Sequence, residues 1–373
     1  MIDLSESRIL IVDDVKANVD ILVRLLKDDH KLSIALSGEA ALKASEKIPP
    51  DLVLLDIVMP GMDGFEVCRR IRENPATAEV PVMFLSSLDE VGSKTRGFEA
   101  GGNDYLVKPF EALEVRARVR SLLKAKAYSD AVKQKIAREL QIAKEIQGGI
   151  LRGNVQEVVE GTGLECRALM EPAREVGGDF YDVIRLPHDK VAIVVGDVSG
   201  KGVPAALFMA VSTTLARLIA KENPCPARIL AQINSTLLEQ NPQCMFVTMG
   251  CAIIDKKAGT MKYASGGHPS PVLLRKGQSP SLPYESTGPV VGVIEEATFE
   301  SYEVPFTEDE TLVFYTDGIT EAMNAQGELF GDARLLECLT HPGDPLDLVR
   351  KAVANHAGDF PQSDDMTLVS VKG

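Results

Sequence analysis

Paired cysteines are missing from this chain of 373 residues. Cys68, Cys166, Cys225, Cys244, Cys251 and Cys338 are scattered with no CxxC pair, and the five histidines do not cluster with them. That excludes a zinc or disulfide framework and predicts reduced, packed thiols. The start, MIDLSESRILIV, is acidic and has no apolar core ahead of a small-residue cleavage site, so no secretory leader is expected. The uncharged apolar run over residues 203–216 is shorter than the roughly 20 residues a bilayer span needs and carries Ser212, Thr213 and Thr214. It reads as a buried helix, which leaves no membrane partner and a cytoplasmic location as the expectation. Positive charge is also scarce, with 40 Lys and Arg against 54 Asp and Glu and a net charge of −14. Duplex binding relies on Lys and Arg replacing counterions, so no nucleic-acid partner is expected. GDVSGKG contains Gly-Lys but lacks the GxxxxGK[ST] spacing of a phosphate-cradling loop, which argues against an NTPase.

What remains is ordinary globular material, long enough for two domains and a connector, with 45% hydrophobic and 25% charged residues. Its charge is uneven. Residues 111–150 hold nine Lys or Arg and five Asp or Glu, a net of +4 that leaves −18 for the rest. The acidic residues are concentrated in the two globular parts.

In the first part short apolar runs (RILIV, LSIAL, DLVLLD, PVMFLS, YLVKP) alternate with amphipathic helical patterns. This predicts an α/β doubly wound parallel sheet, with ligands at the carboxyl ends of its strands. Asp13 and Asp14 follow strand one, Asp56 ends strand three, Ser86 strand four and Lys108 strand five. Three converging carboxylates repel one another unless a divalent cation neutralises them, and Mg²⁺ prefers such oxygen ligands. With Asp13-Asp14, LDIVMPGMDG, Ser86-Ser87 and Lys108-Pro109, the first 120 or so residues resemble a flavodoxin-like response-regulator receiver domain. The resemblance implies that Asp56 accepts a phosphoryl group from a sensor histidine kinase. It further implies that Asp13, Asp14, Asp56 and the Val58 carbonyl hold Mg²⁺, that Ser86 and Lys108 contact the phosphoryl oxygens, that Tyr105 is the switch aromatic, and that Lys108-Pro109 is cis.

The second part turns to β-rich segments (KVAIVVGD, FVTMGCAIID, GTMKYASGG, TLVFYTDG), with helices expected over 204–223, 227–240 and 345–356. That suits an α+β sandwich flanked by helices. Asp179, Asp197, Asp317 and Asp364 (with Asp365) sit among glycines or at strand ends, an oxygen-only donor set suited to Mg²⁺ or Mn²⁺. Two such ions sharing a water can drive phosphomonoester hydrolysis. His268, in SGGHP, is either structural or a proton donor. Arg174, before VGGD, is either a surface residue or a substrate-phosphate ligand.

From roughly Gly153 on, VGGDFYDV, GDVSGKGVPAALFMA, SGGHP, YTDGITEA and DDMTLV, in this order, resemble the PPM-type serine/threonine protein phosphatases of the bacterial sigma-regulatory branch. The resemblance implies two Mn²⁺ or Mg²⁺ ions. Asp197 bridges them, Asp317 and Asp364 complete one site, and Asp179 with the Val198 carbonyl completes the other. Ser199 stands where eukaryotic relatives carry the histidine that protonates the leaving group, so the general acid is a metal-bound water, His268 or none.

Between the halves, residues 111–151 read as one helix. Val119, Leu122, Ile136, Leu140, Ala143 and Ile150 follow a broken a/d pattern, while Lys126, Ser129, Lys133 and Gln147 fall on its seam. An imperfect coiled coil pairing two copies is expected, weakened at Gly148-Gly149. The expected organisation is a receiver over 1–122, a helical linker over 123–152 and a phosphatase over 153–373. By resemblance this is a response regulator whose phosphatase acts on a phosphorylated STAS-type anti-sigma factor antagonist. The alternative is a phosphatase-like adaptor that binds a sigma factor or other partner without catalysis.

Overall fold

The computed structural model describes residues 4–87, 93–151, 154–239 and 241–373. The expected linker end at Arg152, phosphatase start at Gly153 and helix end at Gln240 lie outside them. The chain divides into two compact units, 1–137 and 138–373.

The first unit alternates β1 (Arg8–Val12), α1 (Lys16–Leu26), β2 (Lys31–Ala35), α2 (Gly38–Lys47), β3 (Leu52–Asp56), α3 (Gly64–Glu73), β4 (Val82–Ser87), α4 (Ser93–Glu99) and β5 (Asp104–Lys108). The strands pair in parallel in the order β2-β1-β3-β4-β5. β3 is buried at every position because helices cover both faces, as its near-continuous LVLLD predicts. Asp63 caps α3 by accepting from the Glu66 N–H at 2.8 Å. The Lys108-Pro109 peptide is cis, as the resemblance implies.

α5 (Ala112–Ile150) is one helix of 39 residues, about 58 Å at 1.5 Å per residue. Val115, Val119 and Leu123 recur every four residues and are buried in the receiver core with Leu22, Leu106 and Ile11. Val119 therefore packs within its own domain and not on a coiled-coil seam. The helix runs through Gly148-Gly149 without a break.

The second unit contains α6 (Val155–Val159), β6 (Glu165–Glu171), β7 (Phe180–Arg185), β8 (Val191–Val198), α7 (Val203–Glu222), α8 (Pro226–Leu238), β9 (Val247–Asp255), β10 (Thr260–Gly266) and β11 (Val272–Arg275). β12 (Tyr302–Pro305), β13 (Glu310–Tyr315), α9 (Asp317–Thr320), α10 (Gly331–Cys338), α11 (Pro345–Ala357) and β14 (Met366–Lys372) complete it. Two antiparallel sheets, β12-β10-β9-β8-β7 and β11-β13-β14-β6, face each other. Strand alternation sorts the side chains between layers. Val191, Ile193 and Val195 of β8 join Phe314 and Val369 between the sheets, while Ala192 and Val194 face α7 and α8. The other sheet's outer face packs against α10 and α11 through Val313, Leu335, Val349 and Leu368.

α7 is long and apolar enough to cross a membrane by length and composition alone. Residues 203–216 are expected to form a buried helix, and one face of it is buried. Ala205, Met209, Thr213 and Ala216 lie on that face, but Val203, Leu207, Val211 and Leu218 are exposed on the outer face. α6, α9 and α10 had no sequence signal strong enough to predict them.

Candidate functional site

The parallel topology brings strand ends together in the receiver. Ligand oxygens of Asp13, Asp14 and Asp56 lie within 4.8 Å of one another. Asp13 and Asp56 are buried and Asp14 is exposed. The Lys108 ammonium bridges two of them, 2.8 Å from Asp13 Oδ2 and 2.8 Å from Asp56 Oδ1. The Asn18 amide grips both Asp13 oxygens at 3.1 and 3.0 Å, a contact with no sequence motif to announce it. Burial raises the Asp56 pKa and the Asp13 charge adds to this, against the opposing Lys108 hydrogen bond. Burial would lower the Lys108 pKa, but the hydrogen bonds to Asp13 and Asp56 outweigh it and raise it. Ser86 is buried, its hydroxyl donating to the Ser87 carbonyl at 3.0 Å. Val58 follows Asp56 by two residues with its side chain exposed. Tyr105 is half-buried against the receiver core and, with Phe84 and Phe98, lines a small cavity of about 10 Å³.

In the second unit four carboxylates gather where the two sheets meet. Asp179, 1% exposed, starts the chain into β7, and its Oδ2 accepts from Thr316 Oγ1 at 2.7 Å and Thr367 Oγ1 at 2.6 Å. Asp197 lies near the end of β8, hydrogen-bonded to Asp179 and repelled by Asp317 and Asp364. Asp317 opens α9 directly after β13, and Asp364 precedes β14. Close backbone approach makes this possible. A Cβ on Gly318 would stand 1.9 Å from the Asp365 carbonyl oxygen, and one on Gly178 would stand 2.8 Å from the Val198 carbonyl oxygen, so neither position tolerates a side chain.

Asp365 is the cage's organiser. Its Oδ1 accepts from the Ala173 N–H and its Oδ2 from the Gly178 N–H, both at 2.8 Å, which fixes the loop that presents Asp179. Thr316, Thr367 and Asp365 were not assigned roles from sequence. The second Asp of SDDMTL was the one available signal.

The electrostatics are those of a buried anion cluster compensated only in part, by Lys201. Burial, then the Asp197 charge, holds the Asp179 pKa well above the usual carboxylate range. Burial with Asp317 and Asp364 pushes Asp197 up to about 7. Burial, Glu321 and Asp364 raise Asp317. Raised pKa values mean that these carboxylates hold protons more tightly than usual, and an all-oxygen donor set of this kind is chemically suited to hard divalent ions. Lys201, flanked by Gly200 and Gly202, places Nζ 2.8 Å from Asp364 Oδ2 and 2.7 Å from the Ser363 carbonyl.

His268 is 4% exposed, and its Nδ1 lies 3.0 Å from Thr248 Oγ1. Thr248 is the register partner of Asp197. Burial holds the imidazole neutral, with its pKa down at about 4. Arg174 is exposed and makes no ion pair among the described residues. The Ser199 hydroxyl accepts from the Phe246 N–H at 2.9 Å, tying the end of β8 to the start of β9.

The end of α5 is fastened beside this cage. Gln147, expected on a coiled-coil seam, is buried within the second unit, its amide nitrogen donating to the Gly177 carbonyl at 2.8 Å and its oxygen accepting from the Gly177 N–H at 3.2 Å. Arg217 on α7 donates to the Ile150 carbonyl at 3.2 Å while its Nε holds the buried Asp182 at 2.7 Å.

Comparison with known proteins agrees with this architecture. Residues 9–120 match the response regulator receiver domain family, and residues 187–372 match the stage II sporulation protein E (SpoIIE) family. Protein IcfG of Synechocystis is 32% identical over 351 residues, covering 86% of this chain and 52% of its own length. Response regulator PleD of Caulobacter vibrioides is 42% identical over 198 residues, covering 51% of this chain and 42% of its own. The chain thus spans about half the length of these curated relatives. The solved SiaA-PP2C domain of Pseudomonas aeruginosa superimposes with a TM-score of 0.57 at 24% identity, covering 65% of this chain and 99% of that domain, and shares the fold. The chain therefore joins a response regulator receiver domain to a domain that matches the SpoIIE family and has the fold of a PP2C domain.

Proposed function

We propose that the protein is a response regulator in which phosphorylation of Asp56, by a sensor histidine kinase and with Mg²⁺ held by Asp13, Asp14, Asp56 and the Val58 carbonyl, controls a metal-dependent serine/threonine protein phosphatase. Ser86 and Lys108 receive the phosphoryl oxygens and Tyr105 relays the change. The observation that carries the reading is the second carboxylate cage. Asp179, Asp197, Asp317 and Asp364 offer only oxygen donors there, and lie close enough that burial and neighbouring carboxylate charges raise the pKa values of the first three. Asp179, Asp197, Asp317, Asp364 and the Val198 carbonyl would hold two Mn²⁺ or Mg²⁺ ions. Such ions, when bound, acidify water for attack on phosphorus and neutralise the charge that builds on the phosphoryl oxygens.

The chain's own groups do the positioning. Thr316 and Thr367 orient Asp179 from behind, and Asp365 fixes its loop. His268, buried and with its pKa lowered to about 4, supports Thr248 beside Asp197. Arg174, exposed and in no ion pair among the described residues, stays a candidate contact for substrate phosphate. The substrate class is a phosphorylated STAS-type anti-sigma factor antagonist, and the compartment is the cytoplasm.

Control runs through α5. Exposed Tyr128, Val132, Ile136, Ile142 and Ile146 fall within an arc of about 120° at 100° per residue, a seam through which two copies would pair. Pairing that rotates or bends α5 is passed to Gly177, two residues from Asp179, by the Gln147 clamp. The test is phosphate release from a phosphoserine STAS protein with Mn²⁺, with and without beryllofluoride, using Asp364→Ala as the blank. A beryllofluoride-dependent rate that vanishes in the variant supports the reading. Metal binding without turnover leaves the phosphatase reading and calls for another phosphoprotein substrate, whereas no metal binding at the second cage shifts the reading to the adaptor.

A further inference from the structure

The cage contains one cation of its own. Among the described residues no Lys or Arg other than Lys201 pairs with Asp179, Asp197, Asp317 or Asp364, and its charge also reaches Asp317, where it opposes the raised pKa. Lys201 bonds Asp364 Oδ2, an oxygen that a divalent ion ligated by Asp364 also needs. An ammonium and a divalent ion repel each other, so the two compete for that carboxylate. The displaced lysine has room to move. Its side chain is 43% exposed, Gly200 and Gly202 on either side adopt φ of 89° and 76°, and no heavy atom lies within 4 Å of either missing Cβ. The receiver offers a parallel in the same molecule, where Lys108 spans two cage carboxylates at 2.8 Å.

We propose that Lys201 is a substrate-contacting catalytic residue. It exchanges Asp364 for the phosphoryl oxygens of the substrate once divalent ions occupy the cage, and so supplies a cationic phosphate contact from within the cage. The proposal rests on the phosphatase reading above. In the hydrolysis water oxygen bonds to phosphorus, the phosphorus–ester oxygen bond breaks, and a water proton ends on the departing serine or threonine oxygen. Lys201 keeps its protons and acts by charge and hydrogen bonding.

The experiment uses the full chain and two probes, Mn²⁺ alone and inorganic phosphate with Mn²⁺ present, followed by electron paramagnetic resonance and by competition against p-nitrophenyl phosphate. Lys201→Met removes the charge at similar length and Lys201→Arg retains it; melting temperature verifies folding. Loss of a half-exposed ion pair predicts that Lys201→Met binds Mn²⁺ about two- to fivefold more tightly. Loss of a charged hydrogen bond predicts phosphate affinity weaker by about tenfold or more, with Lys201→Arg within a few-fold of wild type. Equal phosphate affinity in Lys201→Met and wild type overturns the proposal, whether or not Mn²⁺ binding tightens. Wild-type protein that binds neither probe overturns the phosphatase reading and this proposal together.

Discussion

Gln147 and Gly177 exchange two hydrogen bonds, side-chain amide to backbone amide, 30 residues apart in sequence and two residues from the cage carboxylate Asp179. A peptide group is matched here by a side chain of the same chemistry, so the end of α5 is keyed to the loop by shape as well as by polarity. The clamp makes the helix end a mechanical part of the candidate active site.

Gln147→Ala leaves a buried N–H and C=O unsatisfied, at a cost of about 1–3 kcal/mol. We expect a lower melting temperature for the second unit, basal phosphatase activity reduced severalfold and a smaller response to beryllofluoride. Unchanged activity and response, read from phosphate-release rates, would show that the clamp is only a packing contact.

Gly148 and Gly149 are helical, and no heavy atom lies within 4 Å of where either Cβ would stand. Space does not require glycine there, so Gly148→Ala and Gly149→Ala should each stabilise the helix by about 1 kcal/mol. Amide exchange over 143–150 should slow in the double variant. If the glycines serve as a bending point, the beryllofluoride response should shrink although the fold is more stable.

Protons compete with metal for Asp197. Its pKa of about 7 predicts that Mn²⁺ affinity weakens as pH falls through 7 and levels off above about 8. The same shift has a defined sign in stability. The folded state retains a proton that the unfolded chain releases near 3.8, so with chelator present the contribution of Asp197 falls as pH rises from about 4 to about 7. Asp197→Asn should flatten that segment of the melting-temperature profile, and added Mn²⁺ should raise melting most at pH 8.

Asp365 is expected to matter through backbone geometry. Asp365→Ala removes the acceptors for the Ala173 and Gly178 N–H groups, leaving two donors without these partners beside Asp179. Loss of charged hydrogen bonds of this kind costs about 1.5–3 kcal/mol each. Mn²⁺ affinity should drop by about tenfold or more while the receiver's response to beryllofluoride, followed at Tyr105, is intact. Wild-type Mn²⁺ affinity in this variant would assign the loop's position to other contacts.

The fold classes, the strand-end carboxylates of the receiver and the carboxylates of the second unit are legible in the sequence. Apolar periodicity and the polarity of strand ends are local properties that require no knowledge of the partners. The sequence by itself determined which residues carry charge and on which elements. Only tertiary structure decided which backbone groups those charges meet. Asp365, adjacent to Asp364 and chemically identical, turns to Ala173 and Gly178 because the two sheets cross there. Gln147, placed on the helix seam by its spacing, is instead taken up by the N–H and C=O of Gly177, a residue distant in sequence. His268 is buried and its pKa lowered to about 4 by the packed sandwich, a property that no motif around it encodes.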